Sequence, residues 1–223
     1  MTRSVAVCLV SGGMDSAVCA AIAARDYTPA FLHCNYGQRT EQKELAAFHA
    51  LADHYEAKAR LVVDFQHLKI IGGTSLLSDG PPVPTGTTPG GGIPSTYVPF
   101  RNGLLLSTAA AWGEVLSAKR IFFGAVEQDS SGYPDCREEF IAAMSDAIQK
   151  GTKPDTDLKI EAPLVRLSKG AIVKRGLELS VPFHLTWSCY TGNDRACGVC
   201  ESCHLRLKGF AEAGAKDPIP YVP

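Results

Sequence analysis

The stretch Ser11-Gly12-Gly13-Met14-Asp15-Ser16 stands between an apolar run, Val5 to Val10, and an alanine-rich segment. A buried strand that turns through glycines into a helix presents backbone N–H groups at the helix N-terminus. The helix dipole adds to their pull on an anion. Gly12 and Gly13 allow close approach of the backbone, and Ser11 and Ser16 add hydroxyl donors. Asp15 alone is a poor ligand for a phosphate, so it reads as a helper for Mg²⁺ or an orienter of the loop. The spacing is neither the GxxxxGK[ST] of a Walker loop nor GxGxxG. The chemistry it suits is the holding of ATP phosphates.

A second group lies near the end of the sequence. Cys189, Cys197, Cys200 and Cys203 follow the spacing C-x7-C-x2-C-x2-C. Four thiolates suit tetrahedral Zn²⁺, and a site closed by four cysteines leaves no open position, so it is expected to be structural. An iron–sulfur cluster is the metal alternative. His204 stands beside a complete ligand set and reads as a bystander. The remaining cysteines, Cys8, Cys19, Cys34 and Cys136, are scattered. Cys136 is read as packing, not as a nucleophile, because small buried thiols are common.

These groups need a frame. Apolar runs at Val5 to Val10, Pro29 to Cys34, Leu61 to Phe65 and Arg120 to Val126 read as strands. Segments with three-to-four-residue apolar spacing read as helices: Met14 to Arg25, Thr40 to Lys58, Asn102 to Ser117, Asp135 to Gln149 and Ser168 to Leu179. Strands alternating with helices predict an α/β fold with a parallel sheet flanked by helices. The Gly/Pro/Thr-rich stretch Gly72 to Pro99 is expected to be a lid or a disordered insertion. With 223 residues, an organisation of 1–185 as a nucleotide-binding α/β domain and 186–223 as a small zinc-binding segment packed on it is expected. The formal net charge of −1 argues against a nucleic-acid partner. No run of about 18 apolar residues predicts a membrane helix. The first apolar run is too short for a signal peptide. A cytoplasmic protein is expected.

The loop sequence SGGMDS resembles the SGGxDS pyrophosphate loop of the N-type ATP pyrophosphatase (PP-loop) superfamily, which splits ATP between the α- and β-phosphates and adenylates a substrate oxygen. Three further stretches narrow the likeness: NYGQR at Asn35 to Arg39, VPFRNG at Val98 to Gly103 and GYPDCREEF at Gly132 to Phe140. With the cysteine cluster, they make the chain resemble the QueC family of 7-cyano-7-deazaguanine synthases from Val5 to about Arg206. Two positions depart from the usual family pattern: Asn35 where an aspartate is common, and Ser130 where an aromatic is common.

The resemblance implies an adenine-nucleotide-α-hydrolase-like fold and one structural Zn²⁺ on the four cysteines. It also implies a homodimer that converts 7-carboxy-7-deazaguanine, ammonia and ATP with Mg²⁺ into the nitrile preQ0. The nucleotide stretch carries over as Val10, Ser11, Gly12, Gly13, Met14, Asp15, Ser16, Ala17, Val18, Cys19 and Ala20, with Arg101 and Asn102 facing nucleotide or substrate. Tyr36 and Gln38 are substrate-binding candidates. Asp129 and Asp135 are candidates to orient the deazaguanine or assist Mg²⁺, and Tyr133 to stack on a base. Asp15, Ser16, Lys169, Arg206 and Arg137 are the candidate catalytic residues; the two last-named suit a phosphate and the substrate carboxylate, respectively.

A PP-loop paralogue that activates another carboxylate, or that transfers a deazaguanine, is the nearest rival. A tRNA thiolase and a zinc-knuckle RNA-binding module are more distant ones, as is an NAD synthetase, which needs no four-cysteine knob. The closed cysteine set makes one prediction. Cys200→Ser should abolish metal binding and either soluble expression or activity, although no group in the reaction is touched. Metal analysis and an activity assay check it, and wild-type activity in a metal-free variant would contradict it.

Overall fold

The computed structural model describes residues 3–86, 92–127 and 132–223. The chain runs β1 (Val5–Leu9), α1 (Met14–Asp26), β2 (Thr28–Asn35), α2 (Glu41–His54), β3 (Ala59–Asp64), α3 (Gln66–Ile71), α4 (Arg101–Val115) and β4 (Arg120–Phe122). After these come α5 (Glu138–Gly151), β5 (Lys159–Glu161), α6 (Lys169–Glu178) and α7 (Glu201–Glu212). The strands form one sheet in the order β3-β2-β1-β4-β5, and every neighbouring pair is parallel. The expected α/β architecture is what the structure has.

β1 shows why the sheet sits between two helical layers. Successive side chains of a strand point to opposite faces. Ala6, Cys8 and Val10 pack with α1, Phe48 of α2 and Ile172 of α6. Val7 and Leu9 pack on the other face with Leu106 and Ala109 of α4 and Ile141 of α5. A strand covered on both faces reads as a continuous apolar run, as this one does. The strand order reverses at β1, since β2 and β3 lie on one side and β4 and β5 on the other. Open α/β sheets bind ligands outside the carboxyl ends of the strands at such a point.

The elements differ from the sequence reading at their ends. α2 stops at His54 because Glu56 takes a left-handed conformation, φ 50°. β4 spans only Arg120–Phe122, and the chain beyond it is irregular, although Phe123 N still donates to Glu161 O at 2.9 Å. The helix expected from Asp135 begins at Glu138, after a 3₁₀ turn at Pro134–Cys136. Three elements had no expectation: α3, the edge strand β5 and α7. The described parts of the stretch from Gly72 to Pro99 contain no helix or strand. They are nonetheless packed: Leu76, Leu77 and Val98 are buried against Cys34, Tyr36 and Leu68. Among the described residues, no helix is long and apolar enough to cross a membrane.

His33 of β2 is buried, with Nδ1 2.9 Å from Val10 O and Nε2 3.2 Å from the Asn35 side-chain amide. Burial holds its pKa below the ordinary value of 6.5. The unfolded chain therefore protonates first as the pH falls, and stability is lost below that ordinary value. The midpoint of thermal unfolding should drop between about pH 7.5 and pH 5.5, and the drop should be smaller in His33→Gln. Equal drops in the two proteins would contradict this reading.

Candidate active site

The turn after β1 builds the floor of the site. Gly12 has φ +88°, and a Cβ there would stand 2.7 Å from the carbonyl oxygen of Glu44. Only glycine fits a left-handed position pressed onto the first turn of α2. Gly13 is the N-cap of α1, and no side chain of its own caps the helix. The cap comes from far along the chain instead, since Met14 N donates to Ser188 Oγ at 3.4 Å. Within the turn, Gly13 N donates to Ser11 Oγ at 3.2 Å, and Ser16 Oγ donates to Gly13 O at 2.9 Å. At the end of β4, a Cβ at Gly124 would stand 3.2 Å from the Ser16 backbone, so a glycine lets this strand's continuation close against the start of α1.

A cavity of about 280 Å³ opens above this floor. Val10, Ser11, Gly13, Met14, Asp15 and Ser16 line it. Ala17, Val18, Cys19 and Ala20 are at most 1% exposed and belong to the packed core, so they support the turn from behind. Lys169 reaches in from the start of α6, where Ser168 caps the helix by accepting from Ala171 N at 3.2 Å. Its Nζ lies 2.6 Å from Asp15 Oδ2. The other oxygen of that carboxylate, Oδ1, is buried without a hydrogen-bond partner among the described residues.

The carboxyl end of β2 supplies one wall. Tyr36, Gln38, Thr40 and Glu44 line the cavity there. Arg101 Nη1 donates to Tyr36 Oη at 3.1 Å, and its guanidinium stands 5.5 Å from the centre of that ring. Asn102 lines the cavity and clasps the 3₁₀ turn after β4: its backbone N donates to Asp135 Oδ2 at 3.0 Å and its Nδ2 donates to Asp135 O at 3.3 Å. Asp135 thus lies behind Asn102, buried, and burial pushes its carboxyl above the usual carboxylate range. Tyr133 lines the cavity and shares a 2.8 Å hydrogen bond with Thr96 Oγ1. Burial and the neighbouring Asp135 carboxylate push the Cys136 thiol up to about 12, which keeps it a thiol at neutral pH. Arg137 stands half-exposed with Nη1 3.6 Å from Glu139 Oε1. Asp129 and Ser130 lie outside the described residues.

The last wall comes from the C-terminal segment. Trp187 N donates to Gly12 O at 2.8 Å, so the turn after β1 is bonded to residues 187 and 188 on both sides of Gly13. Arg206, 1% exposed, holds that segment. Its Nε and Nη2 donate to Asp217 Oδ2 and Oδ1 at 2.7 and 2.9 Å. Nη1 donates to Thr186 Oγ1 at 2.7 Å and to Ser188 Oγ at 3.2 Å, and Nη2 also donates to Phe183 O at 3.2 Å. All five guanidinium donors are thereby used. The arginine that sequence reasoning paired with a phosphate serves here as a clamp on the wall of the site.

One turn earlier on α7 stands Cys203. The sulfurs of Cys189, Cys197, Cys200 and Cys203 all lie within 4.8 Å of one another, and every cysteine among the described residues is a free thiol. Cys197 and Cys203 Sγ are 3.9 Å apart, close to the edge of a tetrahedron with metal–sulfur bonds of about 2.3 Å. Backbone N–H groups of Thr191, Gly192 and Cys197 point at Cys189 Sγ, and that of Cys200 at Cys197 Sγ. Donors aimed at sulfur favour the thiolate form that a metal needs. The cluster fits a structural metal such as zinc.

The model of the family described as "Queuosine biosynthesis protein QueC" matches residues 5–214. The chain belongs to the QueC family. It is 52% identical to the 7-cyano-7-deazaguanine synthase of Chloroherpeton thalassium over 217 residues, 97% of this chain and 96% of that one. It is 55% identical to the 7-cyano-7-deazaguanine synthase of Nitratiruptor sp. over 218 residues, 97% and 98% of the two chains. The solved structure of NMN synthetase from Francisella tularensis overlays with a TM-score of 0.46 at 16% identity, over 82% of this chain and 64% of that one, too distant to carry weight.

In this QueC protein, sequence reasoning missed Glu44, Ser188 and Asp217. Glu44 sits among charged residues of a helix start, where nothing in the pattern separates it from a solvated face. Ser188 and Asp217 work through contacts 174 and 11 residues away along the chain. The clamp makes a prediction. Arg206→Ala leaves Asp217 charged and buried, so the protein should lose about 3–5 kcal/mol of stability. Its affinity for ATP should fall as the wall at Ser188 loosens. Denaturant unfolding and nucleotide titration check this, and a loss below about 1 kcal/mol with unchanged ATP affinity would contradict it.

Proposed function

We propose that this chain is a 7-cyano-7-deazaguanine synthase of queuosine biosynthesis, an ATP-dependent ligase. The observation that carries the proposal is more than 50% identity along nearly the whole chain to synthases of that name. The phosphate loop after β1 and the cavity above it supply the place for the chemistry.

A carboxylate resists attack by ammonia because its oxygen is a poor leaving group. In this reading ATP activates the carboxylate of 7-carboxy-7-deazaguanine as an acyl-adenylate and releases pyrophosphate. Ammonia attacks the acyl carbon, and AMP leaves to give the amide. A second activation, on the amide oxygen, gives an adenylated imidate. Loss of AMP and a proton from it leaves the nitrile. Each activation builds charge on phosphate oxygens, and preorganised donors stabilise it without reorganisation.

The residues divide this work. The backbone of Ser11 to Ser16 and the two serine hydroxyls bind the phosphates at the N-terminus of α1. Lys169, held by Asp15, places its ammonium beside them. Mg²⁺ neutralises phosphate charge when bound, and Asp15 is the residue to hold it, because Oδ1 is a buried carboxylate oxygen with no partner among the described residues. Arg101 is the candidate for the substrate carboxylate, since its guanidinium enters the cavity from the start of α4. Cys189, Cys197, Cys200 and Cys203 would hold Zn²⁺ in a closed set with no open position for the reaction, and so would steady the start of α7, from which Arg206 reaches the wall.

The test is direct. The metal-loaded protein with ATP, Mg²⁺, an ammonium salt and 7-carboxy-7-deazaguanine should yield the nitrile, with the amide as a transient, in mass spectra. Binding and ATP cleavage with no nitrile would point instead to a paralogue acting on another acid.

A further inference from the structure

Glu44 is the cavity-lining carboxylate to which the roles above assign nothing. It sits in the first turn of α2, partly buried, on the wall formed by the end of β2. Two donors hold it. Thr40 Oγ1 donates to its Oε1 at 2.6 Å, and Gln38 Nε2 donates to its Oε2 at 3.2 Å. The Gln38 amide is itself fixed, because Tyr36 N donates to Gln38 Oε1 at 2.9 Å. Gln38 therefore turns its NH₂ toward Glu44 and cannot turn it away without losing the Tyr36 bond. The carboxylate is fixed in orientation by groups that all line the same cavity.

A carboxylate has about four acceptor positions, two on each oxygen. Thr40 and Gln38 fill one on each. What remains is one acceptor on each oxygen, enough to take two N–H donors from one ligand edge. Burial raises the Glu44 carboxyl above its ordinary value, and the Thr40 and Gln38 hydrogen bonds and the Arg101 charge oppose that rise. Given the proposed function, on which this step rests, one of the two substrates carries such a pair. A 2-aminopyrimidin-4-one ring presents its ring N1–H and an exocyclic N–H in parallel along one edge. Adenine presents a ring acceptor where the other has a donor, so a carboxylate would repel it.

We infer that Glu44 is the specificity residue that reads the N1–H and 2-amino edge of the deazaguanine, with Gln38 and Thr40 as its positioning residues. The NYGQR stretch then acts through Glu44: its glutamine presents the carboxylate, and the carboxylate meets the base. The opposite end of such a ligand carries the carboxylate that Arg101 would meet. The wall thus offers an acceptor to the donor edge of the base and a cation to its acid.

The experiment compares binding of 7-carboxy-7-deazaguanine with that of its analogue lacking the 2-amino group, by calorimetry, in wild type and Glu44→Gln. Wild type should bind the analogue at least about 10-fold more weakly, the weight of one hydrogen bond to a charged group. Glu44→Gln should lose about 10- to 100-fold in affinity for the full substrate, lose most of its preference over the analogue, and keep its affinity for ATP. Thr40→Val, which keeps the carboxylate and frees it, should shift both ligands in the same sense by less. A Glu44→Gln protein that keeps the full preference, or that loses ATP affinity alone, would overturn the inference. If that variant does not fold, a wild type indifferent to the 2-amino group would overturn it equally. Wild type that binds the substrate and discriminates but forms no nitrile would sink the proposed function and leave the Glu44 assignment standing.

Discussion

Two charges, Arg206 and Asp217, lie inside this protein with side chains 1% and 3% exposed. Desolvating them is expensive, and they stay buried only because the pair is bidentate and each remaining donor has a partner. That requirement shapes everything around it. Phe183, Thr186 and Ser188 must sit where the guanidinium can reach them. Tyr221 must come back to donate to Asp217 Oδ2 at 2.7 Å. Once this segment is fixed, Trp187 N meets Gly12 O and Ser188 Oγ meets Met14 N. The phosphate loop is therefore shaped by its own glycines from within and by the end of the chain from without.

The cysteine cluster belongs to the same construction. Cys203 and Arg206 are three residues apart on α7, on neighbouring turns of one helix face. A metal held by the cluster fixes the start of that helix, and the helix carries the clamp. The site then divides into parts with separate origins. The turn after β1 and Lys169 form its floor, the end of β2 one wall, and α4 with the turn at Pro134–Cys136 another. Each part hangs from a different element, and the parallel sheet brings their ends to one edge.

The glycine turn after β1, the cluster of four cysteines and the parallel sheet were legible in the sequence because each is a local pattern. An apolar run, two glycines and a helix start need only neighbours to be recognised, and so do three closely spaced cysteines. α7 was hidden for a physical reason: its buried face is Cys203, Arg206, Gly209 and Phe210, a metal ligand, a cation and a glycine with one ring, so no apolar period marks it. β5 has three residues, Lys159–Glu161, at the sheet edge, too short to show a period. Arg206 stands out in the sequence, but what it touches was beyond reach, because Asp217 and Thr186 are joined to it by tertiary contacts alone. Glu44 was hidden in the same way. Its helix start carries charge on nearly every side, and only the fold shows which carboxylate turns inward.

The C-terminal segment forms one wall of the cavity above the turn after β1, and the metal cluster should therefore steady that turn. Hydrogen exchange at the amides of Gly13 to Ala17, measured with the metal bound and after chelation, tests it most directly. Chelation should speed exchange at Met14 and its neighbours together with residues 186–206, while the amides of β2 keep their protection. Exchange that quickens only around the cysteines, with the phosphate loop unchanged, would contradict it.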